Sequence, residues 1–304
     1  MKRDFTKLLD VTKDECLYLL DRAVFLKRVR TMRGEYKPLK DRSLAMIFEK
    51  ASTRTRISFE TGIKELGGHA LFLSPSETQI GRGEPIKDTA RVLSRYVHAI
   101  MIRTFSQDTV EELARWATIP VINGLSDLYH PCQILADLLT VLERKRKIED
   151  QRIVYIGDGN NIANSWIEAA AILGFRLAIA TPKGYEPPKA VRDLAAGKAV
   201  TYTNDPFEAA KDADVLNTDV WVSMGMEKEK EERRKAFVSF CIDDALMKAA
   251  RPDAIVMHCL PAHRGQEITD EVFERYQDVI FTQAENRLYV QQALMEWLIG
   301  KAEK

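Results

Sequence analysis

The residues best equipped for chemistry are clusters of guanidinium, hydroxyl, amide and imidazole groups that follow short apolar runs. The densest is FEKASTRTR, Phe48 to Arg56, in which Ser52, Thr53 and Thr55 bring hydroxyls and Arg54 and Arg56 bring fixed positive charge. The apolar run ends at Phe48 and a helical pattern begins near 53, so these groups fall at a helix start. There, successive backbone N–H groups point the same way and carry the positive end of the helix dipole. The ensemble suits a phosphate dianion, whereas a plain helix cap needs one hydroxyl and no arginine. Arg103 directly follows the apolar run HAIMI. An arginine at a strand end either faces a ligand or closes a surface salt bridge. In HPCQ, Pro131 starts a helix, which puts His130 and Gln133 at its first turn. The histidine can donate to a carbonyl oxygen, and the glutamine can bond an amide from both its atoms. A capping histidine is the plainer use of the same pattern.

A second set of motifs lies further along. GDGNNIANS, Gly157 to Ser165, follows an apolar run but lacks the GxGxxG spacing of a dinucleotide site. Its two adjacent amides, Asn160 and Asn161, suit either a carboxylate or a helix cap. DVWVSMG, Asp219 to Gly225, puts an acidic group after another apolar run, where it would attract a cation. The charged run EKEKEERRK behind it reads as a solvated helix or loop. HCLPAHRGQEIT brings His258, Cys259 and His263. Neighbouring strand residues point to opposite faces, so His258 and Cys259 read as poor joint metal ligands. ETQIGRGEP, with Gln79 and Arg82, reads as an ordered loop, and ENRLYVQQALMEWL as an amphipathic helix with Arg287 in its first turn.

Positioning such groups requires elements that end where the motifs begin. Buried strands are expected at 44–48, 70–73, 99–102 and 119–122, and then at 153–156, 177–180, 199–202, 215–217, 254–257 and 279–281. Helical patterns fall near 12–30, 53–66, 86–96, 107–117 and 131–146, with a last helix at about 285–299. The charged run Glu143–Arg152 reads as a boundary. Strand–helix alternation on both sides of it implies two doubly wound α/β domains with parallel sheets, whose ligands sit beyond the strands' carboxyl ends. The 304 residues suffice for two such cores. Lys plus Arg and Asp plus Glu are 45 each, so no global field favours nucleic acid or a membrane surface. Any anion site must be local. Cys16, Cys132, Cys241 and Cys259 form no CxxC pair, which suits reduced thiols in the cytoplasm. No apolar run reaches the length of a membrane span, and the first residues lack the apolar core of a signal peptide.

In order and spacing, STRTR, Arg103, HPCQILAD, GDGNN, DVWVSMG, HCLP and ENR resemble the aspartate/ornithine carbamoyltransferase family over essentially the whole chain. Ala51 stands where family members often carry Pro or Ser, ahead of the ligand groups. The resemblance implies transfer of a carbamoyl group from carbamoyl phosphate to the δ-amine of ornithine. It gives Ser52, Thr53, Arg54, Thr55, Gln79, Arg103, His130, Gln133, Cys259, Leu260 and Arg287 to carbamoyl phosphate. It gives Asn161, Asp219, Ser223 and Met224 to ornithine, and catalysis to Arg103, His130, Asp219 and Cys259. The D-x-W-x-S-M-G pattern separates the family's ornithine enzymes from its aspartate enzymes. The implied arrangement is a carbamoyl phosphate domain, 1–147 with a C-terminal helix 285–304 returning to it, an ornithine domain, 148–284, and a cleft between them. The implied partners are the two small substrates, with no metal or organic cofactor, in a homotrimer or a multiple of trimers. The alternatives are a transcarbamoylase for aspartate, putrescine, lysine or an acylated ornithine, a nucleotide-dependent oxidoreductase, and a non-catalytic anion-binding protein.

Overall fold

The computed structural model describes residues 2–74, 83–222 and 229–300. The chain folds as two compact units, one built from Met1–Leu139 with Asn286–Lys304 and the other from Thr140–Glu285.

The first unit contains β1 (Ser43–Phe48), β2 (His69–Leu73), β3 (Ala99–Arg103) and β4 (Val121–Leu125). With them are α1 (Lys13–Thr31), α2 (Thr53–Glu65), α3 (Ile86–Tyr96), α4 (Gln107–Trp116) and the start of α5 (Pro131–Lys145). The strands are all parallel, in the order β2-β1-β3-β4. Every residue of β1 and β3 is buried, which is why both read as continuous apolar runs. The chain winds outward from β1 to β2, then returns to the other side of β1. This reversal brings the carboxyl ends of β1 and β3 together, with Phe48 opposite Arg103. Helix α2 is capped there by Ser52 and stops ahead of Gly67, whose φ of 94° admits the left-handed turn that follows the Leu66 C-cap. The Gly67 N–H then reaches Lys64 O at 3.0 Å and Gly68 N–H reaches Ile63 O at 2.9 Å, satisfying the last carbonyls.

Strand β4 begins two residues later than the apolar run 119–122 implies. Pro120 has no N–H for a ladder, although its carbonyl accepts from Ile100 N at 2.9 Å. Polar Asn123 continues the strand because its amide NH2 finds acceptors inside, donating to Thr6 O at 2.8 Å and Gln107 Oε1 at 3.2 Å.

The second unit holds β5 (Arg152–Ile156), β6 (Arg176–Ala180), β7 (Val200–Thr203), β8 (Val215–Thr218) and β9 (Ile255–His258). Its helices are α6 (Asn161–Leu173), α7 (Lys189–Asp193), α8 (Pro206–Ala210), α9 (Lys230–Phe237) and α10 (Asp244–Met247), followed by α11 (Asp270–Gly300). These strands are also parallel, in the order β7-β6-β5-β8-β9. The winding reverses between β5 and β8, where Ile156 pairs with Thr218.

The strand expected at 279–281 does not form; Val279, Ile280 and Phe281 lie within α11. Nothing between 270 and 299 is Gly or Pro, so the apolar triplet has no turn at either end and continues the helix. From Asn286 onward α11 belongs to the first unit, where Lys27 Nζ donates to Asn286 Oδ1 at 2.9 Å and Arg22 pairs with Glu296 at 2.8 Å.

Candidate active site

Both strand-order reversals fall where open parallel sheets bind ligands, outside the strands' carboxyl ends. In the first unit, Ser52 caps α2 by accepting from Thr55 N at 3.3 Å, so its hydroxyl hydrogen is free to donate to Thr55 Oγ1 at 3.0 Å. Arg287 Nη2 donates to the same oxygen at 2.8 Å, and Arg103 Nη1 approaches it at 3.5 Å. Three donors thus converge on one hydroxyl oxygen, which offers two lone pairs. Arg287 Nη1 also donates to Gln133 Oε1 and lies 3.4 Å from His130 Nε2. Gln133 Nε2 donates to Asp137 Oδ1 at 2.7 Å, which fixes the amide with its oxygen toward the arginine. Thr55, Arg103, His130, Gln133 and Arg287 are all buried.

Burial, then the charges of Arg287 and Arg103, hold the His130 pKa well below the usual imidazole value. His130 is therefore neutral and can donate one N–H without adding a third cation. Burial likewise pushes the Cys132 thiol up to about 12, so it stays protonated. The positive charge of the cluster comes from arginines, which do not deprotonate in proteins.

The residues of STRTR diverge. Thr53 and Arg54 are exposed at the start of α2, and Arg54 has no side-chain partner among the described residues. Arg56 turns away, stacking 3.8 Å over Phe72 and donating to Glu60 Oε1 at 2.9 Å, so only one of the motif's two arginines remains available. Lys50, to which the sequence reading gave no role, is buried against Asp127 and lies 4.4 Å over Phe105.

The second unit gathers different chemistry. Asp219 directly follows β8 and is 8% exposed. Its Oδ1 accepts from Cys259 Sγ at 2.9 Å and from Val220 N at 2.8 Å, and its Oδ2 accepts from Asn160 Nδ2 at 2.9 Å. Asn160 is the N-cap of α6, accepting from Ile162 N at 3.0 Å and Ala163 N at 3.4 Å, while Asn161 is the first residue of the helix proper. Gly159 is required by close approach, since a Cβ there would lie 2.3 Å from Pro187 N. Leu260 N donates to His258 Nδ1 at 2.9 Å. Cys259 and Leu260 belong to this second unit, not to the unit that holds Thr55 and Arg103.

His258, Cys259 and Asp219 place one possible ligand atom each within 4.8 Å of one another. The expectation that His258 and Cys259 point apart is thereby corrected: β9 ends at His258, so strand alternation does not govern Cys259. The donors are engaged, however. His258 Nδ1 accepts from Leu260 N, and Nε2 faces Glu267 Oε1 at 3.0 Å. A metal would have to displace these bonds, so the set fits a hydrogen-bonded array better than a coordination site.

The charge run also differs from its expected solvated form. Arg233 on α9 is 6% exposed and pairs with Asp158 Oδ2 at 3.0 Å, while also donating to Trp221 O at 3.0 Å. Burial pushes Asp158 up to about 6 despite that cation. Arg233 lies four residues before buried Phe237, a helical spacing that signals a shared face. Of the two amides read as suiting a carboxylate or a helix cap, Asn160 is the one that caps, while Asp137 carries no expected role although an i,i+4 Gln–Asp pair was the available signal. Gln79, Arg82, Ser223 and Met224 lie outside the described residues.

Comparison with known proteins joins these observations. Residues 3–143 match the carbamoyl-P binding domain, and residues 149–298 the Asp/Orn binding domain, of aspartate/ornithine carbamoyltransferase. The ornithine carbamoyltransferase of Syntrophotalea carbinolica is 57% identical over 302 residues, covering 99% of this chain and 100% of that protein. The solved ornithine carbamoyltransferase from Pyrococcus furiosus superposes with a TM-score of 0.95 at 49% identity, covering 99% of this chain and 98% of that one. The anabolic ornithine carbamoyltransferase from Campylobacter jejuni gives 0.92 at 48% identity, with 98% and 99% covered.

Proposed function

This chain belongs to the aspartate/ornithine carbamoyltransferase family, and from that premise we propose that it transfers the carbamoyl group of carbamoyl phosphate to the δ-amine of ornithine, giving citrulline and phosphate. The observation that carries the reading is the convergence of buried donors on Thr55, where the Arg103 and Arg287 guanidinium groups meet one hydroxyl oxygen beside His130 and Gln133. A dianionic phosphate matches that paired positive charge, and the charge-assisted bonds it makes are about twice as strong as neutral ones.

In this reading Ser52, Thr53, Arg54, Thr55, Arg103 and Arg287 take the phosphate. His130 and Gln133 take the carbamoyl group, with Thr55 between. Asp219 takes the α-ammonium group of ornithine, Asn161 its carboxylate, and Cys259 and the Leu260 backbone lie near the reacting centre. Gln79, Ser223 and Met224 complete the assignment from sequence. Asp219 puts negative charge where the acceptor binds, which favours the extra ammonium of a diamino acid over the extra carboxylate of aspartate.

A free alkylamine titrates near about 10.4, so the δ-amine must shed a proton before it attacks. Its nitrogen then forms a bond to the carbonyl carbon, and the bond from that carbon to the phosphate oxygen breaks. Negative charge on the carbonyl oxygen meets Arg103, neutral His130 and Thr55, acting as an oxyanion hole. The departing phosphate keeps the bonding electrons and can accept the amine's remaining proton.

The same reading places the protein in the cytoplasm as a homotrimer, working in arginine biosynthesis. Among the described residues no helix is long and apolar enough to cross a membrane. Colorimetric citrulline formation from the two substrates tests the activity, with putrescine, lysine and aspartate run in parallel as acceptors. Turnover of one of those in place of ornithine would overturn the acceptor assignment, and light scattering of the purified protein checks the trimer.

A further inference from the structure

Asn160 does two jobs that need opposite ends of one amide. Its Oδ1 accepts from Ile162 N and Ala163 N as the cap of α6, and from Tyr155 Oη at 3.2 Å. These are all donors, so they fix which end of the amide is oxygen. The NH2 end is thereby aimed at Asp219 Oδ2, at 2.9 Å. Asp219 cannot rotate freely in return, because its Oδ1 is held by Cys259 Sγ and its own neighbour Val220 N. The carboxylate plane is thus clamped from α6, from the end of β9 and from its own chain.

We propose that Asn160 is a positioning residue for the acceptor amine: it orients the Asp219 carboxylate that receives ornithine, and its capping of α6 is the lesser part of its work. This rests on the function proposed above, since Asp219 matters to ornithine only in that reading. Capping alone does not call for asparagine, because Asp and Ser cap helices about as well. Asparagine differs from both in carrying an N–H donor beside the oxygen that caps. At this position that donor meets a carboxylate 8% exposed to solvent. An aspartate here would face Asp219 with like charge, and a serine would cap the helix without reaching across.

The test compares Asn160→Asp and Asn160→Ser with the wild type. The wild type is assayed first, and if it forms no citrulline the functional reading fails independently of this inference. With an active wild type, Asn160→Ser is expected to raise the KM for ornithine about tenfold, from loss of a hydrogen bond to a charged group. Asn160→Asp should raise it further, because two carboxylates then share one site. The KM for carbamoyl phosphate should stay constant, since Thr55, Arg103, His130, Gln133 and Arg287 belong to the other unit. Circular dichroism and thermal melting report whether α6 remains capped; should Asn160→Asp fail to fold, Asn160→Ser decides alone. Wild-type ornithine KM in a folded Asn160→Ser would overturn the proposal. So would equal shifts in both substrates' KM values, the signature of a general loosening.

Discussion

Replacing Arg287 by methionine probes the donor site at its most connected point. Arg287 is 3% exposed and reaches Gln133 Oε1, Thr55 Oγ1 and the edge of His130. Methionine fills similar length without donors or charge. In the free protein the change takes the Arg287 donor from Gln133 Oε1, a buried acceptor that costs about 1–3 kcal/mol when unsatisfied, offset by removal of a buried cation, while Thr55 Oγ1 keeps Ser52 as a donor. Stability should therefore move little. Carbamoyl phosphate loses the paired bonds of a guanidinium fork, about 1.5–3 kcal/mol each. The sum, about 3–6 kcal/mol, corresponds to a hundredfold to ten-thousandfold weaker binding. Arg287→Lys should fall between, since an ammonium keeps the charge but not the fork. A second effect follows at His130. One of the two cations that depress its pKa disappears, while burial, the larger cause, remains. The imidazole pKa therefore rises relative to the wild type. Donor KM from steady-state citrulline formation, calorimetry with inorganic phosphate and NMR titration of the histidine measure all three. Donor affinity within about threefold of wild type in a folded Arg287→Met protein would refute the reasoning.

Asp219→Asn should weaken ornithine about tenfold to a hundredfold, the worth of one charge-assisted contact, with the carbamoyl phosphate KM unchanged; an unaltered ornithine KM removes the basis for acceptor choice. Arg54→Ala should lower kcat/KM about a hundredfold or more while leaving the melting temperature alone, because the side chain is exposed and has no described partner. Normal turnover would take Arg54 out of the phosphate site. Burial raises the Asp158 carboxyl to about 6 in the folded protein, from about 3.9 in an unfolded chain. Between those values the native state holds a proton that the unfolded state has released, so the contribution of this group to stability is full below about pH 4 and is lost as pH rises through about 6. The loss is about 3 kcal/mol, and Asp158→Asn should flatten it. Urea unfolding at pH 4 and pH 7 compares the two proteins, and equal pH dependence would show that the Asp158 carboxyl is not the group responsible.

The strands were legible because buried parallel strands are nearly continuous apolar runs, and β1 and β3 are buried throughout. The same rule misplaced a strand at 279–281, since three apolar residues have no period of their own and only the absence of turn residues on either side identifies the helix. Motif positions could be read for a similar reason: hydroxyl, guanidinium and amide groups after an apolar run fall at a strand's carboxyl end whatever the details. Side-chain direction could not. Arg54 and Arg56 look equivalent in STRTR, yet Phe72, distant in sequence, draws Arg56 aside. Asn160 and Asn161 are adjacent and identical, and only the position of the first helical turn tells which caps and which follows. Arg233 sits inside a run of charges that reads as solvated, while its register with Phe237 carries it inward to Asp158.

One topological device serves two electrostatic ends. At the β1/β3 reversal the groups that could change charge are held neutral, His130 by burial and neighbouring cations and Cys132 by burial. What remains positive is Arg103 and Arg287, whose charge does not vary with pH. A site built this way stays ready for a dianion across the physiological range. At the β5/β8 reversal two carboxylates gather, Asp158 and Asp219, and burial raises Asp158 to about 6 even with Arg233 beside it. Charge that varies near neutrality therefore lies on the side assigned to the amine. That division suits the chemistry, because the donor's charge must be met unconditionally, whereas the acceptor has to lose a proton before it can react.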